Sequence, residues 1–410
     1  MKKTRIALAL ASAFAAPAFA QQPTVEQKLE ILQQEIDELK AQQARGAPAV
    51  PPSPASPPAG ATSIIGYGEF NYNRFRQDDH PTQADLRRFV FGLNHRFDDR
   101  LTFHSEVEVE HAVVSKEDDG ELEIEQAWLN YRVSDGDGLN VKGGLFLIPL
   151  GILNETHEPP TYYGVERNEV ETRIIPTTWR ELGVGVHGAV AQGLRYDVGV
   201  TTGFDAGKID DPTTGIRSAH QEGQQANAKD LSVYGALNYR SPGLLAGGGV
   251  FTGKTGQNGQ SNPALKGVDA RLVLWDLHAQ YRIAGFDLQA LYAAGKLGDA
   301  DRINAANLAA GKDFATPKSM KGAYVQAAYH AYKQGNFDVA PFVRLERFDI
   351  RQEEDAANGL LQDENLRNER VRTIGVNFKV HPQVVIKADV QRFRNDRSLD
   401  RFNLGLGYMF

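Results

Sequence analysis

The chain has 410 residues, a formal net charge of −7 and no cysteine, which excludes disulfides and thiolate metal sites. Its 40 glycines and 41% apolar content are not those of a long disordered protein. The acidic balance argues against a nucleic acid as partner.

The first twenty residues have the pattern of a secretory signal peptide. They open on the basic stretch MKKTR, continue with an apolar run over residues 6–15, and offer small residues at Ala18 and Ala20. The apolar run is too short to span a bilayer as a helix. We therefore expect export and removal of residues 1–20, whose three basic residues take the formal charge from −7 to −10.

Two short segments precede the main body of the chain. Within residues 21–45, apolar side chains recur at alternating spacings of four and three, which favours a short periplasmic coiled-coil helix; a solvated amphipathic helix is the alternative. These apolar positions are Val25, Leu29, Leu32, Ile36 and Leu39. Residues 46–62 are rich in proline and alanine and predict a semi-rigid linker.

From residue 63 to residue 410 the sequence alternates with period two and predicts an all-β domain of sixteen antiparallel strands. Every second connection is a tight turn, and those between are mostly longer and polar. This pattern indicates a transmembrane β-barrel of the bacterial outer membrane, with both termini on the periplasmic, short-turn side. The predicted strands are 64–76, 83–97, 101–112, 121–133, 139–148, 179–190, 194–204, 229–240, 244–253, 268–282, 286–295, 320–332, 336–350, 369–380, 384–395 and 399–410.

Side-chain alternation predicts which strand face meets lipid. In the last strand Phe402, Leu404 and Leu406 alternate with small or polar residues, and in strand 101–112 valines alternate with Glu106 and Glu108. A soluble sandwich would need some strands without a polar face, and almost every strand here keeps one. Sixteen strands enclose more space than side chains fill, so an aqueous channel is expected.

Two motifs that could indicate nucleotide or metal binding are better explained as structural parts of a strand and a loop. GGVFTGKT at 248–255 fits a phosphate-loop pattern, but GQNGQSNP follows and cannot begin the helix that such a loop requires. His157-Glu158 lacks a third metal ligand in the sequence around it. We therefore expect no enzyme activity, no catalytic residue, no cofactor and no metal site.

Four stretches resemble the phosphate-selective porin O and P family of Gram-negative outer membranes. They are GGLFLIPLGILNETHEPPTYYGVERNEVE, IIPTTWREL, ADLRRFVFGL and EQAWLNYRV, and the resemblance extends over residues 63–410. It implies a homotrimeric sixteen-stranded porin whose third loop, here 149–178, folds inward and narrows the lumen.

Under this interpretation, charged residues of the strands and the third loop would line the pore and its constriction. The candidates are Arg88, Arg96, Glu106, Glu108, Lys142, Glu155, Glu158, Glu166, Arg167, Glu169, Arg173, Arg180, Arg344, Lys379 and Lys387. Their mixed signs suit a transverse field, which leaves open whether the channel prefers anions such as phosphate or is a general one.

The sequence thus predicts a porin for passive diffusion of small hydrophilic solutes and ions, embedded in outer-membrane lipid and lipopolysaccharide. The alternative is an envelope-tethering structural barrel with incidental permeability. Finally, the glycines of ELGVGVHGAVAQGLRYDVGVTTGF, residues 181–204, predict a wall against which the third loop leans.

Overall fold

A computed structural model describes residues 58–77, 80–118 and 120–410. The predicted signal peptide, coiled-coil helix and most of the linker lie outside these residues. Sixteen strands form the described part. They are β1 Thr62–Phe75, β2 Gln83–Arg96, β3 Leu101–Glu110, β4 Leu122–Arg132, β5 Asn140–Leu147, β6 Arg180–Ala191, β7 Leu194–Thr201, β8 Ser232–Ser241, β9 Leu244–Lys254, β10 Arg271–Ile283, β11 Phe286–Leu297, β12 Pro317–Tyr329, β13 Phe337–Gln352, β14 Glu369–His381, β15 Val384–Phe393 and β16 Arg401–Met409.

The strands form one closed antiparallel barrel in chain order. β1 pairs with β2 on one side and with β16 on the other, from Tyr67 opposite Met409 to Phe75 opposite Arg401. The short segment Tyr332–Gln334 continues β12 and pairs with the same neighbour, β13. The predicted fold class and strand number are confirmed.

Among the described residues, helices are confined to the connections. The α-helices there are α1, Glu169–Arg173, and α2, Ala300–Ala309. Single 3-10 turns occur at Pro159–Thr161, Ala206–Lys208, Pro212–Thr214, Arg217–Ala219, Gln257–Gly259, Pro263–Leu265, Ala356–Asn358, Glu364–Leu366 and Arg397–Leu399. No helix among the described residues is long and apolar enough to cross a membrane.

The outer surface of the barrel carries the apolar side chains that the alternation predicted. Phe402, Leu404 and Leu406 of β16 are exposed, whereas Asn403 between them is fully buried and Gly407 is buried. In β3, Val107 is exposed and Glu108 is buried. An exposed apolar belt around a closed sheet is what a lipid-facing barrel requires.

The inner surface differs from the prediction of a polar face on nearly every strand. At the end of the barrel that carries the long connections, inward side chains such as Phe251, Leu272, Leu274 and Phe348 join one apolar core. The long connections supply the other half of it. Their buried core residues include Ile148, Leu150, Val170, Ile174, Ile175, Trp179, Phe204, Ile209, Ile216, Leu265, Val268 and Ile303.

Gly185 and Gly199 make room for a strand side chain, and no glycine of residues 181–204 has the third loop among its nearest neighbours, so that prediction was wrong in its location. A Cβ at Gly185 would lie 2.5 Å from the Tyr234 hydroxyl, and one at Gly199 would lie 2.6 Å from the Tyr234 ring. The third loop leans instead on glycines of β9, β12 and β16. These are Gly249, Gly322, Gly405 and Gly407.

Substitution of Gly407 by alanine tests this close approach. The added Cβ would lie 2.3 Å from the Pro159 Cβ, so the loop or the strand must move. We expect Gly407→Ala to lower the free energy of unfolding by about 1–3 kcal/mol, as measured by urea unfolding in detergent. Gly235→Ala is the control, because its Cβ would meet Val198 at an ordinary 3.5 Å. Equal effects of the two substitutions would contradict the close packing.

Candidate functional site

The connection between β5 and β6, residues 148–179 and hereafter loop 3, folds into the lumen and is closed at its base by Asn154. The buried Asn154 amide donates to the carbonyls of Ile148, at 2.7 Å, and Trp179, at 2.8 Å, and accepts from the Trp179 N–H at 2.7 Å. One side chain thereby holds the two ends of the loop together.

Glu171 organises the interior of loop 3. Its Oε1 accepts the backbone N–H groups of Ile152, at 2.6 Å, and Leu153, at 2.7 Å. Its Oε2 accepts from Asn168, the N-cap of α1, and from the Tyr324 hydroxyl of β12 at 2.9 Å. The fully buried carboxylate is therefore saturated with donors, as a buried charge must be.

Side chains of the barrel wall supply further partners for the loop backbone. Lys387 of β15 donates to the Gly164 carbonyl at 2.8 Å, and Arg344 of β13 donates to the Tyr163 carbonyl at 3.2 Å. Asp389 accepts the Val165 N–H at 2.6 Å, and Glu346 accepts the Glu169 N–H at 2.7 Å. Since Lys387 and Asp389, and likewise Arg344 and Glu346, are two apart on one strand, each pair faces inward together.

Two large polar cavities lie inside the described part of the barrel. The long-loop cavity, of about 720 Å³, extends from Arg88 and Glu108 to residues 210–222 between β7 and β8. The short-turn cavity, of about 540 Å³, extends from loop 3 to Lys333 and Pro382 at the opposite end. Each cavity reaches exposed residues at its own end of the barrel.

Tyr162 of loop 3 lines both cavities and lies where they adjoin. Its hydroxyl donates to Glu69 at 3.0 Å, and the Lys387 ammonium lies 3.6 Å from its ring centroid. Burial, reinforced by the Glu69 carboxylate, raises the pKa of Tyr162 well above its usual range, so the phenol remains a neutral donor. This side chain is positioned to set the width of any passage between the cavities.

A second polar cluster joins loop 3 to β3 and β4. His157 Nε2 lies 3.2 Å from Glu125 Oε1, and one ligand atom of Glu106 lies within 4.8 Å of both groups. Burial lowers the pKa of His157, but the charge and contact of Glu125 outweigh it and leave that pKa raised. The wall thus supplies two acidic groups beside His157, and Glu158 is not part of the cluster.

The structure brings many of the predicted charged residues to the cavities. The long-loop cavity is lined by Arg88, Glu108, Glu166, Arg167, Glu169 and Arg173. The short-turn cavity is lined by Glu155 and Lys379, and Lys142 lines a smaller one beside it that also contains Glu155. Arg344 and Lys387 hold the loop, and Glu106 belongs to the His157 cluster.

Besides Glu106, Lys142, Arg344 and Lys387, three more predicted residues line neither the long-loop nor the short-turn cavity. Arg96 contacts Asp99 in a short turn at 2.7 Å. Arg180 pairs with Glu123 at 2.6 Å beside the long-loop cavity. Glu158 accepts the Thr161 N–H through its carbonyl and precedes the turn that presents Tyr162.

Several residues of the site were not among the predicted ones. Tyr162, Glu69, Asn154, Glu346 and Asp389 act through contacts with partners far away in the sequence; Glu69 and Tyr162, for example, are 93 residues apart. A sequence signal existed only for Glu346 and Asp389, which are acidic residues two positions from predicted basic ones.

Comparison with known proteins identifies a relative. An uncharacterized protein of Aquifex aeolicus (strain VF5) is 31% identical over 360 residues, which cover 85% of this chain and 80% of the relative. This chain belongs to the same family as the Aquifex protein. No family model matches the sequence.

Solved structures similar to this barrel are outer-membrane proteins. Salmonella typhi OmpF in complex with daunomycin has a TM-score of 0.57 at 11% identity, covering 86% of this chain and 98% of OmpF. The outer-membrane channel DcaP of Acinetobacter baumannii has a TM-score of 0.54 at 14% identity, covering 86% of this chain and 98% of DcaP. The trimer form of Vibrio cholerae OmpT has a TM-score of 0.51 at 12% identity, covering 86% of this chain and 100% of OmpT. At these identities the likeness establishes the fold.

The burial of His220, in the segment between β7 and β8, can be tested through the pH dependence of stability. His220 is buried against Trp179, in parallel stacking at 6.4 Å, and against Phe204 at 5.2 Å. Burial lowers the pKa of His220 to about 4, and a contact with Glu222 opposes this only in part. The unfolded chain, in which histidine has its ordinary pKa near 6.5, therefore takes up a proton before the folded one does.

We expect the stabilisation that neutral, buried His220 gives the folded state to be complete above pH 6.5 and to disappear as pH falls towards 4. The loss is on the order of 3 kcal/mol in the free energy of unfolding. His220→Gln should flatten the dependence in that window, as followed by urea unfolding at stepwise pH, and His381→Gln at the exposed end of β14 should not. An unaltered pH profile in His220→Gln would refute the assignment.

Proposed function

We propose that the protein is a porin that allows small hydrophilic solutes and ions to diffuse across the outer membrane of a Gram-negative bacterium. The observation that carries this proposal is a lipid-compatible closed barrel with a polar cavity reaching each end and Tyr162 between the cavities. The kind of barrel supports it, since OmpF and DcaP share the fold and DcaP is described as an outer-membrane channel.

The proposed orientation places the short turns and both chain termini of the barrel domain in the periplasm. Long connections on one side and short turns on the other are the rule for outer-membrane barrels. A signal peptide, helix and linker before the first strand would then lie on the periplasmic side, and the long-loop cavity would open outward. Lipid and the lipopolysaccharide leaflet would surround the apolar belt.

We further propose that the protein forms a homotrimer. The support is the trimer form of the similar Vibrio cholerae OmpT and the predicted coiled-coil helix within residues 21–45, whose two heptads require oligomerisation to be stable.

A mixed-charge pathway fits the cavities better than one dedicated to phosphate. Among the described residues, the long-loop cavity is lined by six arginines and ten carboxylates, and the short-turn cavity by four Lys or Arg residues and three carboxylates. Several predicted pore cations are occupied, as in Arg88, which contacts Glu69 at 2.9 Å and Glu108 at 3.1 Å. We therefore propose a general channel, with the phosphate preference implied by the porin O and P resemblance as the competing hypothesis.

Bilayer recording tests the channel directly. Purified protein should give stepwise ohmic currents in planar bilayers, and Tyr162→Ala should raise the unitary conductance about two-fold or more because it removes the ring that lies between the two cavities. Tyr239→Ala, which removes an outward-facing side chain, should leave the conductance unchanged. Absence of stepwise current from folded wild-type protein would overturn the porin assignment and favour a structural barrel.

Reversal potentials in a KCl gradient test the charge of the pathway. We expect a weak preference for K⁺, because carboxylates outnumber arginines in the long-loop cavity. Glu121→Lys at the rim of that cavity should shift the reversal potential towards Cl⁻, and Glu117→Lys, an exposed residue that does not line either cavity, should shift it less. A strong preference for Cl⁻ in the wild type would contradict the general channel and favour the phosphate-selective hypothesis.

A further inference from the structure

Glu106, Glu125 and His157 converge from three separate elements. Glu106 lies on β3, Glu125 on β4 and His157 on loop 3, and one ligand atom of each lies within 4.8 Å of the others. Glu125 is fully buried and His157 is 3% exposed. Two carboxylates and an imidazole in this proximity form a donor set of the kind that binds divalent transition metals.

Two buried atoms that face each other, His157 Nε2 and Glu125 Oε1, have no hydrogen-bond partner. His157 Nδ1 lies 3.1 Å from the Asn154 carbonyl, which can only accept, so Nδ1 carries a hydrogen. In the neutral imidazole, Nε2 then presents a lone pair to Glu125 Oε1 at 3.2 Å. Both atoms are buried and neither makes a directed hydrogen bond. Two facing lone pairs need a cation, either a proton or a metal ion.

We propose that this cluster binds a Zn²⁺-class divalent metal ion that fastens loop 3 to the barrel wall. Ligands at about 2.1 Å from one ion lie roughly 3–4 Å apart. The 3.2 Å separation of Nε2 and Oε1 falls within that range, and a small movement of Glu106 completes a three-ligand set. The proposal concerns binding and does not depend on whether the barrel conducts.

Each of the three ligands already has an outer partner that orients it. The Tyr67 hydroxyl donates to Glu125 Oε2 at 3.0 Å, and the Gln126 amide donates to Glu106 Oε2 at 2.7 Å. The Asn154 carbonyl fixes the tautomer of His157. Outer-shell hydrogen bonds of this kind accompany metal ligands in proteins and leave the remaining atoms directed at the ion.

The charged surroundings tolerate a dication. Arg167 and Glu158 of loop 3, Glu108 of β3 and Arg180 of β6 are near enough to act electrostatically on the cluster. A dication neutralises Glu106 and Glu125. The imidazole ligand favours Zn²⁺ or Co²⁺ over Ca²⁺ or Mg²⁺, which prefer all-oxygen sites.

Equilibrium dialysis of EDTA-stripped, folded full-length protein tests the site with Zn²⁺. We expect one ion per chain, with affinity at least ten-fold weaker in His157→Gln and in Glu106→Gln. Glu106→Gln is the milder variant, because it removes a charge at the less buried ligand, and circular dichroism and heat-modifiable mobility verify that each variant is folded. Co²⁺ should give visible d–d absorption bands in the wild type that both variants lose.

His330→Gln is the matched control. His330 contacts Asp338 at 2.7 Å in the lumen but belongs to no three-ligand cluster, so its loss should leave Zn²⁺ uptake unchanged. Equal uptake by wild type and His157→Gln would overturn the proposal and leave a protonated His157–Glu125 ion pair. Displacement of Zn²⁺ by equimolar Mg²⁺ would overturn the class of ion. Slower hydrogen exchange in residues 152–166 on adding Zn²⁺ would support the fastening role, and unchanged exchange would refute it.

Discussion

A polypeptide segment inside a barrel must find hydrogen-bond partners for its backbone, and this requirement shapes the structure of the lumen. Loop 3 contains only a five-residue α-helix, α1, and one 3-10 turn, so most of its N–H and C=O groups cannot pair within regular structure. Asn154 and Glu171 satisfy the groups inside the loop, and Lys387, Arg344, Asp389 and Glu346 satisfy those beside the wall. The inward charged side chains of β13 and β15 therefore act as structural hydrogen-bond partners of the loop 3 backbone.

The electrostatics of the lumen follow from this use of charge. A cation that binds a loop carbonyl, or lies between carboxylates as Arg88 does, contributes less field along the axis than its number suggests. The residues that remain in the two cavities are of mixed sign, which favours a general pathway. Among the described residues, the apolar core occupies part of the lumen at the long-loop end, and the long-loop cavity lies beside it.

The sequence predicted the barrel well because lipid imposes a regular constraint on every strand. Strand number, turn pattern and the outward faces of β3 and β16 all follow from period two. The lumen was predicted poorly because its contacts join distant residues, such as Tyr162 with Glu69 and His157 with Glu125. The apolar core was missed for another reason: Ile209, Ile216 and Leu265 stand singly in polar connections, and only the folded chain brings them together. The sequence predicted that glycines near residue 185 form a wall for loop 3, but Gly185 and Gly199 accommodate Tyr234 instead.

The central claim is that loop 3 places Tyr162 where the two halves of the lumen meet. The chain contains no cysteine, so Tyr162→Cys provides a single thiol in a clean background. A small, charged, membrane-impermeant methanethiosulfonate reagent can be added to either side of a bilayer holding this variant while current is recorded. The account predicts that the reagent reduces the current from both sides. Modification from one side only, or from neither, would contradict it.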